Sequence, residues 1–192
     1  MRINLNIQKS IESGWVINSR QDFDTQFNQY LSIFVSVALL VILLVFPIFL
    51  WMGIYTGQLK SSSTIVFPGI LFKIGLIGLY GFILGNKFVR FRGSHDLTKN
   101  QEAILRLLKE YYPKNNFYQG DQFMTSYLKP TGFMRRSKPT NRILVLFDTN
   151  DILLNISVFS DGGIQSPFHT LFHHWTIYRI KSRLKESLNV RN

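Results

Sequence analysis

Three of the chain's four histidines, His169, His173 and His174, fall together near the C-terminus. His169 and His173 stand at i and i+4, which on a helix would place both imidazoles on one side of a metal ion. A zinc site needs further ligands, though, and Thr170 holds the position of the glutamate in an HExxH motif. Histidines packed beside Trp175, or protonated at a membrane surface, account for the same letters, so no metal and no other cofactor is expected. Ser160 and Asp161 would complete a hydrolase triad only on paper, because no GxSxG elbow surrounds the serine. Gly162 and Gly163 precede no GK[ST] and form no phosphate loop. The absence of cysteine excludes a disulfide, a thiolate metal site, a cysteine nucleophile and a lipidated cysteine. With no catalytic motif, the chain reads as non-enzymatic.

A second kind of chemistry is suggested by charge in an apolar setting. Lys73 is the one charged residue inside either of two long apolar stretches. Counted from Ile65 it would lie about 12 Å deep in a bilayer, and counted from Pro68 about 7 Å. A lysine at mid-membrane costs roughly 3 kcal/mol, so such residues often mark an ion path or a charge partner. Neither stretch holds a carboxylate to pair with it, and side chains lean toward the helix N-terminus, here the nearer water. Snorkelling is therefore expected, ahead of pairing with another subunit or a transport role. On the same stretch Gly78, Gly81 and Gly85 share one narrow helical face, with Gly81 and Gly85 in GxxxG spacing and Gly75 nearby. Such a face admits another helix closely. The first apolar stretch is the nearest candidate, and a homodimer or partner contact the alternative.

The third feature is basic charge. Of 22 Lys and Arg, all but Arg2, Lys9, Arg20, Lys60 and Lys73 follow Asn86, leaving 17 against 8 acidic residues there, about +9 of the chain's +11. Two clusters interleave cations with large apolar side chains: Lys87, Arg90 and Arg92 among Phe88, Val89 and Phe91, and Arg135, Arg136 and Lys138 beside Phe133 and Met134, with Arg142 beyond. Such a pattern suits an anionic membrane surface, where each cation contributes about 1 kcal/mol. An acidic protein partner ranks behind it, and no nucleic-acid-binding module is recognisable.

Elements that would position these groups follow from hydropathy. Only 17% of the 192 residues are charged against 46% hydrophobic, where a globular domain carries about 25% charged residues. Leu31 to Leu50 holds no charge and would rise about 30 Å as a helix, a bilayer's hydrocarbon thickness. The roughly thirty mostly polar residues before it, and its bulky end at Trp51 and Met52, set it apart from a signal peptide. The expected organisation is a tail over 1–30 with a short strand (Arg2 to Gln8), transmembrane helix 1 over 31–54, an external loop over 55–64, transmembrane helix 2 over 65–86, and a basic α+β domain over 87–192. The positive charges flanking the stretches place both termini in the cytoplasm of an inner membrane.

Within the last segment, Thr98 predicts a capped helix over 98–112. Strands are predicted over 122–128, 141–147 and 152–160, the last two as a hairpin around Asp148 to Asp151. Ser166 and Pro167 start a final helix with apolar contacts from Phe168, Leu171, Phe172, Trp175, Tyr178, Ile180 and Leu184, and with Arg179 and Arg183 on its solvated side. The expected function is a non-enzymatic subunit or adaptor of an inner-membrane assembly, partnered by lipids and by other membrane subunits or itself. No nucleic acid or small-molecule substrate is expected. The alternatives are a membrane-tethered enzyme acting on a lipid or phosphorylated substrate, which would use the histidines, and an oligomeric channel or ion-coupled motor subunit, which would need Lys73.

Overall fold

Long apolar runs of Leu, Val, Ile and Phe satisfy their backbone groups within single helices. The computed structural model, which describes residues 5–17, 23–57, 66–127, 140–159 and 165–188, folds both apolar stretches this way. Helix α1 (Ile7–Ser13) precedes α2 (Phe23–Tyr55) and α3 (Val66–Asn86). α2 starts well before Leu31 and runs 33 residues through Pro47. Both α2 and α3 are long and apolar enough to cross a membrane. Within the most apolar window of each, only 11% of α2 and 22% of α3 is buried in the molecule. A core helix of a water-soluble protein would be covered on most sides.

The two helices pack as a hairpin. Trp51 and Phe72 rings lie 6.1 Å apart, and a Cβ on Gly75 would meet Leu44 at 3.0 Å and the Leu43 carbonyl at 3.1 Å. Their outward faces carry exposed Ile42, Phe49, Phe67 and Ile77.

Five antiparallel strands follow: β1 (Val89–Arg92), β2 (Phe117–Gln119), β3 (Phe123–Tyr127), β4 (Thr140–Asp148) and β5 (Asp151–Phe159), in spatial order β1-β5-β4-β3-β2. The two long apolar strands β4 and β5 form the centre, joined at Thr149 and Asn150. β1 and β2 are not predicted from the sequence. The cluster Lys87 to Arg92, read as a charge signal, alternates buried Phe88, exposed Arg90 and buried Phe91, and adds an edge strand to β5.

Side chains alternate across the sheet with period two. Ile143, Val145, Phe147, Ile152 and Leu154 point to helices α4 (Leu97–Tyr111) and α5 (Pro167–Ser187), whose Ile104, Leu108, Ile177, Ile180 and Leu184 complete the main core. Leu144, Leu146 and Leu153 point the other way, where Ile11 of α1 and Phe88 meet them. α4 is capped not by Thr98 but by Asp96, which accepts from the Thr98 and Lys99 amides at 3.0 and 3.2 Å.

The strand predicted over Arg2 to Gln8 is a second correction. Ile7 and Gln8 are helical, because Asn6 accepts from the Lys9 amide at 3.1 Å and Gly14, at a φ of 70°, closes the helix; residues 1–4 lie outside the described residues. α1 is also no free tail. The Val16 amide donates to Asn86 at 2.9 Å, the Phe88 amide to Gly14 at 2.9 Å, and the Arg90 guanidinium to Ile11 at 2.7 Å. The segments before and after the hairpin thus form one body.

Candidate functional site at the junction of α3, β5 and α5

Helix α3 reaches β1 through Lys87 and Phe88 alone, so its last carbonyls need partners from elsewhere. Asn155, fully buried in β5, supplies them: its Nδ2 donates to Gly85 at 3.1 Å and to Lys87 at 2.9 Å. Asn86 turns its own amide to the Phe82 carbonyl at 2.8 Å and to Gln165 Oε1 at 3.1 Å. A buried amide costs stability unless it is hydrogen-bonded, and here it stitches the end of an apolar helix to the central sheet.

The glycine face explains how closely α5 approaches. Gly75, Gly78, Gly81 and Gly85 are all buried. A Cβ on Gly78 would lie 2.8 Å from Leu40 of α2 and 3.1 Å from Phe168 of α5. On Gly81 it would overlap the Pro167 carbonyl, and on Gly85 the Gln165 amide. Among the described residues, the face expected to receive the first apolar stretch therefore meets it at Gly75 and Gly78, and takes the start of α5 from Gly78 to Gly85.

The histidines divide among separate tasks. Ser166 Oγ and His169 Nδ1 are 2.7 Å apart at the start of α5. Thr170 Oγ1 donates to Ser166 at 2.9 Å and accepts from the Val158 amide at 3.4 Å, joining α5 to β5. One turn on, Tyr112 at the end of α4 lies 2.8 Å from His173 Nδ1. Burial pushes the Tyr112 hydroxyl up to about 12, opposed by a hydrogen bond from Thr176. Burial, helped by the charge of His169, pulls His173 below its ordinary value. Both shifts favour a protonated phenol donating to a neutral imidazole. Burial lowers His174 as well, which meets Tyr178 edge-on at 5.1 Å. Among the described residues no three His, Cys, Asp or Glu side chains gather as a metal site requires.

The remaining predicted residues are dispersed. Lys73 is exposed on the outward side of α3, away from the glycine face. Lys87 is exposed in a bridge with Trp15. Arg90 pairs with Asp151 at 3.6 Å besides bonding Ile11, and Arg92 is exposed at the edge of the sheet. Arg142 stacks over Phe159 at 4.7 Å and donates to Ser157 at 3.3 Å. Arg135, Arg136 and Lys138 lie outside the described residues.

A further surface is assembled by α5 itself. Phe172, Trp175 and Tyr178, predicted to supply apolar contacts, are exposed, while Thr170, Ile177, Ile180 and Leu184 face the core. Arg179 stacks on Trp175 at 3.8 Å, and Arg183 lies 5.6 Å from the Tyr111 ring and bonds Glu110. The sequence does hold the signal. At about 100° per residue, Phe168, Phe172, Trp175 and Arg179 form a stripe opposite that of Ile177, Ile180 and Leu184. No family model, curated protein or solved structure matches the chain.

Proposed function

We propose that this chain is a non-enzymatic subunit or adaptor of an inner-membrane protein assembly. In this reading α2 and α3 cross the bilayer as a hairpin with both termini in the cytoplasm, and the basic α+β unit lies against the lipid surface. Its partners are membrane lipids and either other membrane subunits or a second copy of the chain. The observation that supports it best is that α1, before the hairpin, and the sheet, after it, share one hydrophobic cluster through Ile11, Phe88, Leu144, Leu146 and Leu153. A hairpin that crosses twice returns both segments to one side, where a single body can form from them. Lys87, Arg90 and Arg92 directly after α3 agree with the cytoplasmic side. The short, doubly attached junction suits a part that holds a surface in fixed relation to the membrane.

The test is purification of the tagged chain in gentle detergent, followed by native mass measurement and identification of co-purifying proteins. Another membrane subunit, or a second copy of the chain, is expected in fixed stoichiometry. Recovery of a lone monomer from several mild detergents would reject the assembly.

A further inference from the structure

Helix α5 begins at an unusual level for part of a water-soluble unit. Its first turn sits on α3, with Phe168 against Gly78, Leu171 against Gly81 and Thr170 against Gly85. Gly78 precedes the end of α3 at Asn86 by about 12 Å of helix rise. Phe168 is thus seated well inside the apolar length of α3. On the side turned away from the sheet, Phe172 is 77% exposed, Trp175 61% and Tyr178 52%. Cations adjoin and succeed these aromatics along the helix: the Arg179 guanidinium lies over the outer aromatic Trp175 at 3.8 Å, and Arg183 follows Trp175 by about 12 Å of helix rise, both lining a shallow cavity with Tyr111 and Ser182. Aromatic rings followed by guanidinium groups match the order of acyl boundary, then phosphate, in an anionic leaflet.

We infer that the N-terminal half of α5 is a third membrane-embedded element, an interfacial helix that inserts Phe172 and Trp175 into the leaflet on the domain's side and sets Arg179 at the level of anionic phospholipid phosphates. The occupant of the exposed aromatic face is lipid, because Phe168, on the same stripe as Phe172 and Trp175, packs on α3 at Gly78, and the stripe ends in positive charge. The inference rests on the proposal that α3 crosses a membrane, and it adds an anchor on the helix stripe opposite the one that faces the core.

The absence of cysteine makes the test direct. Spin labels are placed singly by Ile77→Cys, Phe172→Cys, Trp175→Cys and Glu186→Cys in the full chain, reconstituted in nanodiscs of mixed zwitterionic and anionic phospholipid. Collision with oxygen should exceed collision with an aqueous nickel complex at 77, 172 and 175, and the order should reverse at 186. Oxygen access at 77 with nickel access at 172 and 175 overturns the inference while leaving the hairpin in the membrane. Nickel access at 77 rejects both. Protection from both reagents at 172 and 175 assigns the face to a protein and also overturns it. Should labelling disturb folding, the label-free measurement is quenching of Trp175 by acyl-brominated lipid in a Trp15→Phe, Trp51→Phe background. Quenching is expected, and its absence counts against insertion.

Discussion

The two apolar helices are each long and apolar enough to cross a membrane, and they differ in what they touch. α2 is rich in large side chains, and among its described residues Leu40, Ser36 and Pro47 are buried while Phe34, Ile42, Phe46 and Phe49 are exposed. α3 buries four glycines and, through them, meets α2 on one stretch and α5 on the next. Removing side chains from one face brings backbone close to backbone, which gains dispersion contact and allows a polar junction to be built at short range. The first helix is thus a surface for its surroundings, and the second is the framework on which the rest is assembled.

The largest effect should follow from filling the glycine face. Gly81→Leu forces its side chain into the Pro167 carbonyl, a backbone group fixed by the start of α5. It should destabilise the protein by about 3 kcal/mol, whereas Ile42→Leu on the exposed face of α2 should stay within about 0.5 kcal/mol. Thermal unfolding of the purified protein in one detergent compares them, and equal tolerance would erase the distinction between the helices.

Next comes the junction. Asn155→Ala leaves the Gly85 and Lys87 carbonyls without their buried donor, at a cost of about 2 kcal/mol. Loosened proteolytic protection between α3 and β1 is the accompanying readout.

A smaller effect depends on pH. His173 is held below its ordinary value in the folded protein, so the unfolded chain binds more protons in the interval between the two values. This contribution to stability is fully present above about pH 6.5 and is lost as pH falls from there through the depressed folded value. His173→Gln should flatten the acid limb of a stability profile, with His174 supplying what remains. The smallest effect belongs to Arg183 and Glu110, whose exposed pair should contribute nothing measurable, so Glu110→Gln should match the parent protein.

The parts legible in the sequence were those governed by one strong local signal. Long apolar runs, interrupted in the second by Lys73 alone among charges, gave both apolar helices, density of Val, Ile, Leu and Phe gave β4 and β5, and Ser166-Pro167 gave the start of α5. Elements set by pairing were harder. β1 is four residues long and exists because β5 offers it an edge, and α1 replaces an alternating strand pattern because Asn6 and Gly14 cap it. The glycine face was visible as spacing, but its partner was not, since α5 arrives from some eighty residues away. Likewise, i,i+4 spacing could not tell that His169 would meet Ser166 while His173 met Tyr112.

The contact between α1 and the sheet also imposes a schedule on synthesis. Ile11 is made long before Leu153, its neighbour in the same cluster. At about 5–20 residues per second, roughly 7 to 30 s of elongation separate them. During that interval both apolar helices leave the ribosome, while α1 lacks the face of β4 and β5 on which it settles. The growing chain must therefore dispose of its two apolar helices first, and the body built on the sheet closes around a segment made long before it.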